Sequence, residues 1–220
     1  MSELPIELTS TRVRKWGRLK IGISDYGDPD IDVPDADPLT NGGAYFSAEY
    51  KPLAFPAGVK ELGFIQTSGV TDAKSISANS STMLQSLTPV RSDLDGIEKT
   101  IACVFGESNA WTNALYHLLP VADWPAEKDA AWGYQDRDLS DLPEYVLWLQ
   151  GVDGVGAQAI FRYEIGHRVK ITAIENRAMN RADTEGFGFT LGLFEDPVSG
   201  LVHTRAEDGP GYATHLPRTP

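Results

Sequence analysis

Three runs in this chain alternate apolar and polar residues with a period of two, and they constrain the fold more than any other feature. "GIEKTIACVFGE" (96–107) sets Ile97, Lys99, Ile101, Cys103 and Phe105 on one side. "AQAIFRYEIGHRVKITAIE" (157–175) sets Ala159, Phe161, Tyr163 and Ile165 against Gln158, Arg162 and Glu164. "GFGFTLGLFED" (186–196) does the same with Phe187, Phe189, Leu191 and Leu193. Period two is the signature of a half-buried strand, because successive side chains leave opposite faces of the pleat. Further strands are expected over 18–24, 44–53 and 143–154. Only 108–119 carries the helical period: Trp111, Ala114, Leu115 and Leu118 fall at i, i+3, i+4 and i+7, with Ser108 or Asn109 as cap and Pro120 as the stop. Many strands and one helix predict an all-β domain with one packed α-helix, a β-sandwich or partly closed barrel.

The segment "KELGFIQTSGVTDAKSISANSSTMLQSLTPVRS" (60–92) is β-prone yet rich in Ser and Thr, with almost no large apolar residue after Ile76. It reads as a hairpin with its turn at "TSG" (67–69), then a flexible Ser/Asn stretch. Residues 82–92, with Pro89, read as an edge strand or extended arm. The expected organisation is an N-terminal arm and acidic loop (1–43), a β domain (44–202) and an extended or disordered tail (203–220).

The 220 residues carry 31 acidic and 19 basic side chains, a net charge of −12. That balance opposes binding to a phosphate backbone. Charge is also segregated: Arg12, Arg14, Lys15, Arg18 and Lys20 precede Asp25, Asp28, Asp30, Asp32, Asp35 and Asp37, with no further cation until Lys51. Adjacent blocks of opposite sign suggest contact between segments or subunits, and two solvated loops account for them equally well. No run is long enough to cross a bilayer as a helix, and the start lacks the charged-then-apolar order of a signal peptide, so a soluble protein made inside the cell is expected.

Chemistry-bearing motifs fail on inspection. "GVGAQA" (154–159), with Glu175 downstream, imitates a dinucleotide fingerprint. That motif needs a helix to receive the pyrophosphate, and here a strand-period run follows. "DPDIDVPDADP" (28–38) imitates a calcium loop but has Val33 where Gly is needed and Leu39 where Glu is needed. The lone Cys103 sits in an apolar run, as a buried small hydrophobe would. His117, His167, His203 and His215 are scattered. No catalytic, cofactor or metal site is expected, and no enzyme activity.

The order of segments is more informative. Leu62, Gly63, Phe64, Ile65, Gly69 and Val70 form a hairpin motif. Val90 and Arg91 follow, then Glu107 and Asn109 before the helix, then Phe189, Leu191, Asp196 and Pro197. Over roughly 60–200 this order resembles the major tail tube proteins of long non-contractile-tailed bacteriophages, in particular those of phages of actinobacteria. Thr67-Ser68 stands where that family often has an acidic residue, and the 25–43 loop has no counterpart in it. The resemblance implies a virion structural protein, assembled in the host cytoplasm and residing in the viral tail. Its subunits form hexameric rings that stack into a tube, their inner sheets join around a lumen, and the genome passes through during ejection. Implied partners are further copies of the chain, the tape measure protein, the tail tip and the tail terminator. DNA passes without specific binding, and the subunit itself binds no membrane.

On that reading, lumen-facing carboxylates are sought among Glu98, Glu144, Asp153, Glu164 and Glu175. Contacts between subunits or rings are sought among Arg12, Arg14, Lys15, Arg18, Asp28, Asp30, Asp32, Val70, Ile76, Leu84 and Arg91. Two alternatives stand beside it. One is a related tail component: a terminator, a baseplate protein or a phage-derived tube. The other is a β-sandwich carbohydrate-binding module using Trp132, Tyr134 or Trp148 as a sugar platform.

Overall fold

A computed structural model describes residues 14–81, 88, 91–136, 138–177, 179 and 185–218. Among the described residues the chain is all-β with one α-helix. Its strands are β1 (Arg18–Asp25), β2 (Lys60–Glu61), β3 (Ile65–Ser81), β4 (Arg91–Phe105), β5 (Tyr145–Asp153), β6 (Ile160–Ile174), β7 (Phe187–Phe194) and β8 (His203–Asp208), and α1 spans Ala110–Tyr116. They form one antiparallel sheet in the order β2-β1-β5-β6-β7-β4-β3, with β8 also pairing β6. β7 borders the C-terminal half of β6 and β8 its N-terminal half, so the two lie end to end along the same side. The sheet curls: β1 and β3 come into contact although they sit far apart in strand order.

Both faces are buried in the middle of the sheet. On the concave face, Ile21, Ile23, Leu147, Leu149, Val169, Leu191, Ile101 and Phe105 pack with Ala114 and Leu115 of α1. On the other face, Val146, Trp148, Tyr163, Ile165 and Ala206 are covered by Ile31, Tyr45 and Phe46 from the 26–59 loop. A bulge explains how β6 serves both. Leu147 pairs with Gly166 but Tyr145 pairs with Val169, so one extra residue enters β6 near His167. An extra residue inverts the facing of everything beyond it. Tyr163 and Ile165 therefore join the second core, while Val169 and Ile171 join the first.

The helix is shorter than the expected 108–119. Asn109 caps it by accepting from the N–H groups of Trp111 and Thr112 (both 2.9 Å), and Thr112 Oγ1 returns the bond from Asn109 N–H at 3.1 Å. The helix ends at Tyr116 with His117 as its C-cap, ahead of Pro120, and Leu118, with φ of 54°, breaks the right-handed spiral just beyond. Gly154 and Gly156, with φ of 77° and 60°, turn β5 into β6. The dinucleotide-like glycines thus build a hairpin, and the run after them is strand.

Three expectations are corrected. Residues 44–53 form no strand: a 3-10 turn (Gly42–Ala44) and a single Phe46–Pro52 bridge aim Tyr45 and Phe46 into the second core. "TSG" is a bulge inside β3, between Ile65 and Val70, and the Ser-rich stretch beyond it pairs with β4 out to Ser81. The segment after 202 does not begin as a tail: 203–208 is β8, and Leu216 packs on the second core while Gly42 N–H bonds the Pro217 carbonyl at 2.7 Å.

Candidate assembly interface

β4 pairs with β7 only over 99–105, so among the described residues it has β3 alone as neighbour from Glu98 outward. Residues 75–81 and 91–98 form a two-stranded ribbon extending about 24 Å beyond the sheet at ~3.4 Å per residue. Two strands alone are marginal in water. The pairing register places Ile76 opposite Ile97, and a bulge at 95–96 brings Leu94 opposite Ala78 on the same side. Ile76, Leu94 and Ile97 are 62%, 63% and 52% exposed. This apolar stripe continues the face that is core further in, at Ile101, Cys103 and Phe105. Among the described residues the outer edge of β3 has no strand beside it, and such an edge is a template for pairing with another chain.

The opposite, convex face of this half-sheet carries small and hydroxyl side chains. Thr71, Ala73 and Ser75 of β3 pair with Ala102, Thr100 and Glu98 of β4, and β4 in turn sets Ala102 beside Thr190 and Thr100 beside Gly192 of β7. Glu98 lies there, exposed, and Glu175 reaches over Gly188 at its margin.

At its base the ribbon is tied down by an ion cluster. Glu164 of β6 is 4% exposed. It accepts from Arg205 Nε at 2.8 Å and from His203 Nε2 at 3.0 Å, and Arg162 lies 3.4 Å away. Lys99 of β4 contacts the other ring nitrogen of His203, and Arg205 also bonds Asp72 of β3. Arg162 reaches Glu207 through Nε at 2.9 Å. Burial alone would push the Glu164 carboxyl up, but hydrogen bonds from His203 and Arg205, with the charge on Arg205, outweigh it and leave it below the ordinary carboxylate range. Burial pushes the Lys99 ammonium down.

The expected site residues separate accordingly. Glu98 and Glu175 share the convex face. Asp153 ends β5, half-buried. Glu144 is ion-paired: hydrogen bonds from Arg168 (2.6 and 2.9 Å) and Lys170, 3.0 Å away, hold its carboxyl down at about 2 against partial burial. Glu164 is buried in the cluster and offers no carboxylate to solvent. Among the contact candidates, Val70 packs against the first core and Ile76 stands on the ribbon. Arg91 pairs with Asp93 at 2.7 Å, and Arg14 stacks over Tyr212. Lys15 and Arg18 are exposed, as are Asp30 and Asp32, and Asp28 is half-buried. Those three aspartates make no ion pair among the described residues. Arg12, Leu84 and Val90 lie outside the described residues. The sugar-platform alternative loses Trp148, which is fully buried and donates to Ser24 Oγ at 3.0 Å. Trp132, 46% exposed, stacks on Tyr134. Cys103 is 3% exposed, and burial pushes its thiol up to about 12.

The apolar stripe of Leu94 and Ile97 and the ion cluster were not foreseen. The first had a sequence signal, since "DLDGIEK" alternates once the bulge at Asp95-Gly96 is allowed for. The second joins residues from four strands and had none. No family model and no curated protein sequence matches the chain.

Proposed function

We propose that this chain is a self-assembling structural subunit of a bacteriophage tail tube, forming six-membered rings that stack around a DNA-conducting lumen. The observation that carries this reading is the ribbon. A two-stranded projection with an open edge and three exposed apolar side chains on one side is a poor design for a monomer and a good one for a subunit. Head-to-tail pairing of the β3 edge with a neighbour's β1–β2 edge generates a ring when the rotation closes. The convex face of Ser75, Thr100, Thr190, Glu98 and Glu175 suits a bore: short, hydroxyl-bearing and net acidic, it gives a sliding polyanion nothing to grip. The ordered segment motifs resembling tail tube proteins supply the phage context. In that context the partners are the tape measure, tail tip and tail terminator proteins, and the location is the virion tail.

Negative-stain microscopy of the purified chain across concentration and salt, with solution mass measured in parallel, tests the reading. Rings or hollow tubes of six-fold symmetry are expected. A chain that stays monomeric at every concentration, including in the presence of a tail tip complex, refutes it. Rings that never stack point instead to a related tail component.

A further inference from the structure

Among the described residues the outer edge of β8 is open, and a groove runs along it. His167 N–H donates to the Val202 carbonyl at 3.2 Å, which makes Gly166 and His203 a pair exchanging no direct bonds. In an antiparallel ladder bonded and non-bonded pairs alternate. The bonds to β6 therefore fall on Thr204, Ala206 and Asp208. The N–H and C=O groups of His203, Arg205 and Glu207 point the other way and have no backbone partner among the described residues. They face a groove of about 560 Å³ whose far wall is the 35–39 loop. Its apolar lining is Leu201, Leu216 and Leu39, the last 73% exposed. Its charges are Asp35, Asp37 and Glu207 against Arg205, whose guanidinium is already engaged by Glu164 and Asp72. An open strand edge beside an apolar, net acidic wall has the chemistry to accept an extended basic segment by strand addition.

We propose that this groove receives the N-terminal segment of a second copy of the chain. The inference rests on the assembly reading above and names one of its contacts. Two observations select the occupant. The first is where the chain leaves the described fold. Trp16 lies under Arg162, and Arg14 stacks on Tyr212 and donates to its hydroxyl, which in turn donates to Glu207 at 2.9 Å. The described chain thus starts, at Arg14, at the periphery beside β8; a thirteen-residue segment spans up to about 40 Å when extended. The second is complementarity. In "IELTSTRVRK" (6–15) alternate positions are Ile6, Leu8, Ser10 and Arg12, apolar and then basic, as a strand would need to meet Leu39 together with Asp35 and Asp37 on the far wall. Backbone bonds to His203, Arg205 and Glu207 set the register. The basic and acidic blocks of the sequence then meet across a subunit boundary.

The test uses the ¹⁵N-labelled full chain at a concentration where it is monomeric, with a synthetic peptide of residues 5–15 as probe. Amide exchange at His203, Arg205 and Glu207 slows at least tenfold on peptide addition, while Thr204, Ala206 and Asp208 stay slow throughout. Changing Asp35→Lys and Asp37→Lys together weakens the peptide at least tenfold, with an unchanged spectrum elsewhere showing the fold intact. No protection at millimolar peptide, or equal protection by a scrambled peptide, overturns the proposal. So does protection of the three amides in the monomer before peptide is added, since the groove is then filled by its own chain. Tubes that assemble with these amides unprotected sink this contact alone. Peptide binding by a chain that never assembles sinks the tube reading and leaves the groove.

Discussion

Replacing Glu164 with Gln tests whether the cluster at the ribbon's base is an electrostatic unit. The cluster holds three cations (Lys99, Arg162 and Arg205), three carboxylates (Asp72, Glu164 and Glu207) and a histidine. The three cations and three carboxylates balance one another. Glu164→Gln keeps the shape but leaves one uncompensated positive charge where Glu164 and the His203 side chain are each 4% exposed. Removing one partner of a buried pair costs about 3–5 kcal/mol. For a chain of this size, each kcal/mol lowers Tm by roughly 2–4 °C, so a fall of about 6–20 °C is expected. Adding Arg205→Met removes the stranded cation and recovers part of the loss, with a coupling of about 1.5–3 kcal/mol in the double-mutant cycle. Urea unfolding of the four proteins at pH 7 measures both quantities. The sign with pH is fixed: the carboxyl lies below its ordinary value in the fold, so its contribution is present above about pH 4.3 and fades as pH falls below. Glu164→Gln therefore flattens the acid limb of stability. A loss under about 1 kcal/mol, or additive single effects, refutes the idea that these residues act together.

Ile76→Lys with Ile97→Glu, which puts opposite charges at directly facing positions, should abolish rings and tubes while moving monomer stability by no more than about 0.5 kcal/mol each, as for exposed sites; microscopy and urea unfolding measure the two. Gly63→Ala should destabilise by about 1–3 kcal/mol, because Gly63 has φ of 99° and a Cβ there meets the Glu107 carboxylate at 2.2 Å; a thermal melt decides it. Glu144, held at about 2 in the fold, contributes stability that is complete above its unfolded value near 4.3 and is lost toward pH 2. Because the site is partly solvated, the contribution is about 1 kcal/mol, and Glu144→Gln should remove it at pH 7 but not at pH 2.

Much of the fold was legible because alternation survives wherever one face is buried. β4, β5, β6 and β7 fall within a few residues of their expected spans, and Asn109 and Pro120 bracket the helix. The misses have physical causes. The inverted facing of Val169 and Ile171 comes from one inserted residue in β6, which hydropathy does not register. Ser75 to Ser81 form a strand because β4 lends them a register, not because any of them is buried. β8 buries Thr204, Ala206 and Asp208, so its inward face is polar and reads as loop. Tyr45 and Phe46 are as buried as any strand residue, yet they reach the core from a turn. The ribbon's polarity was visible from the start; its apolar stripe emerged only once β3 and β4 were placed in register.

The proposed subunit joins copies of itself with its convex face inward. A helical cryo-EM reconstruction of tubes grown from the purified chain tests it most directly. Such tubes should show six subunits per ring, with Ser75, Thr100, Thr190 and Glu98 lining the bore and Ile76, Leu94 and Ile97 covered by a neighbour. A tube whose bore is lined by another face, or whose ribbon points bare into solvent, contradicts it.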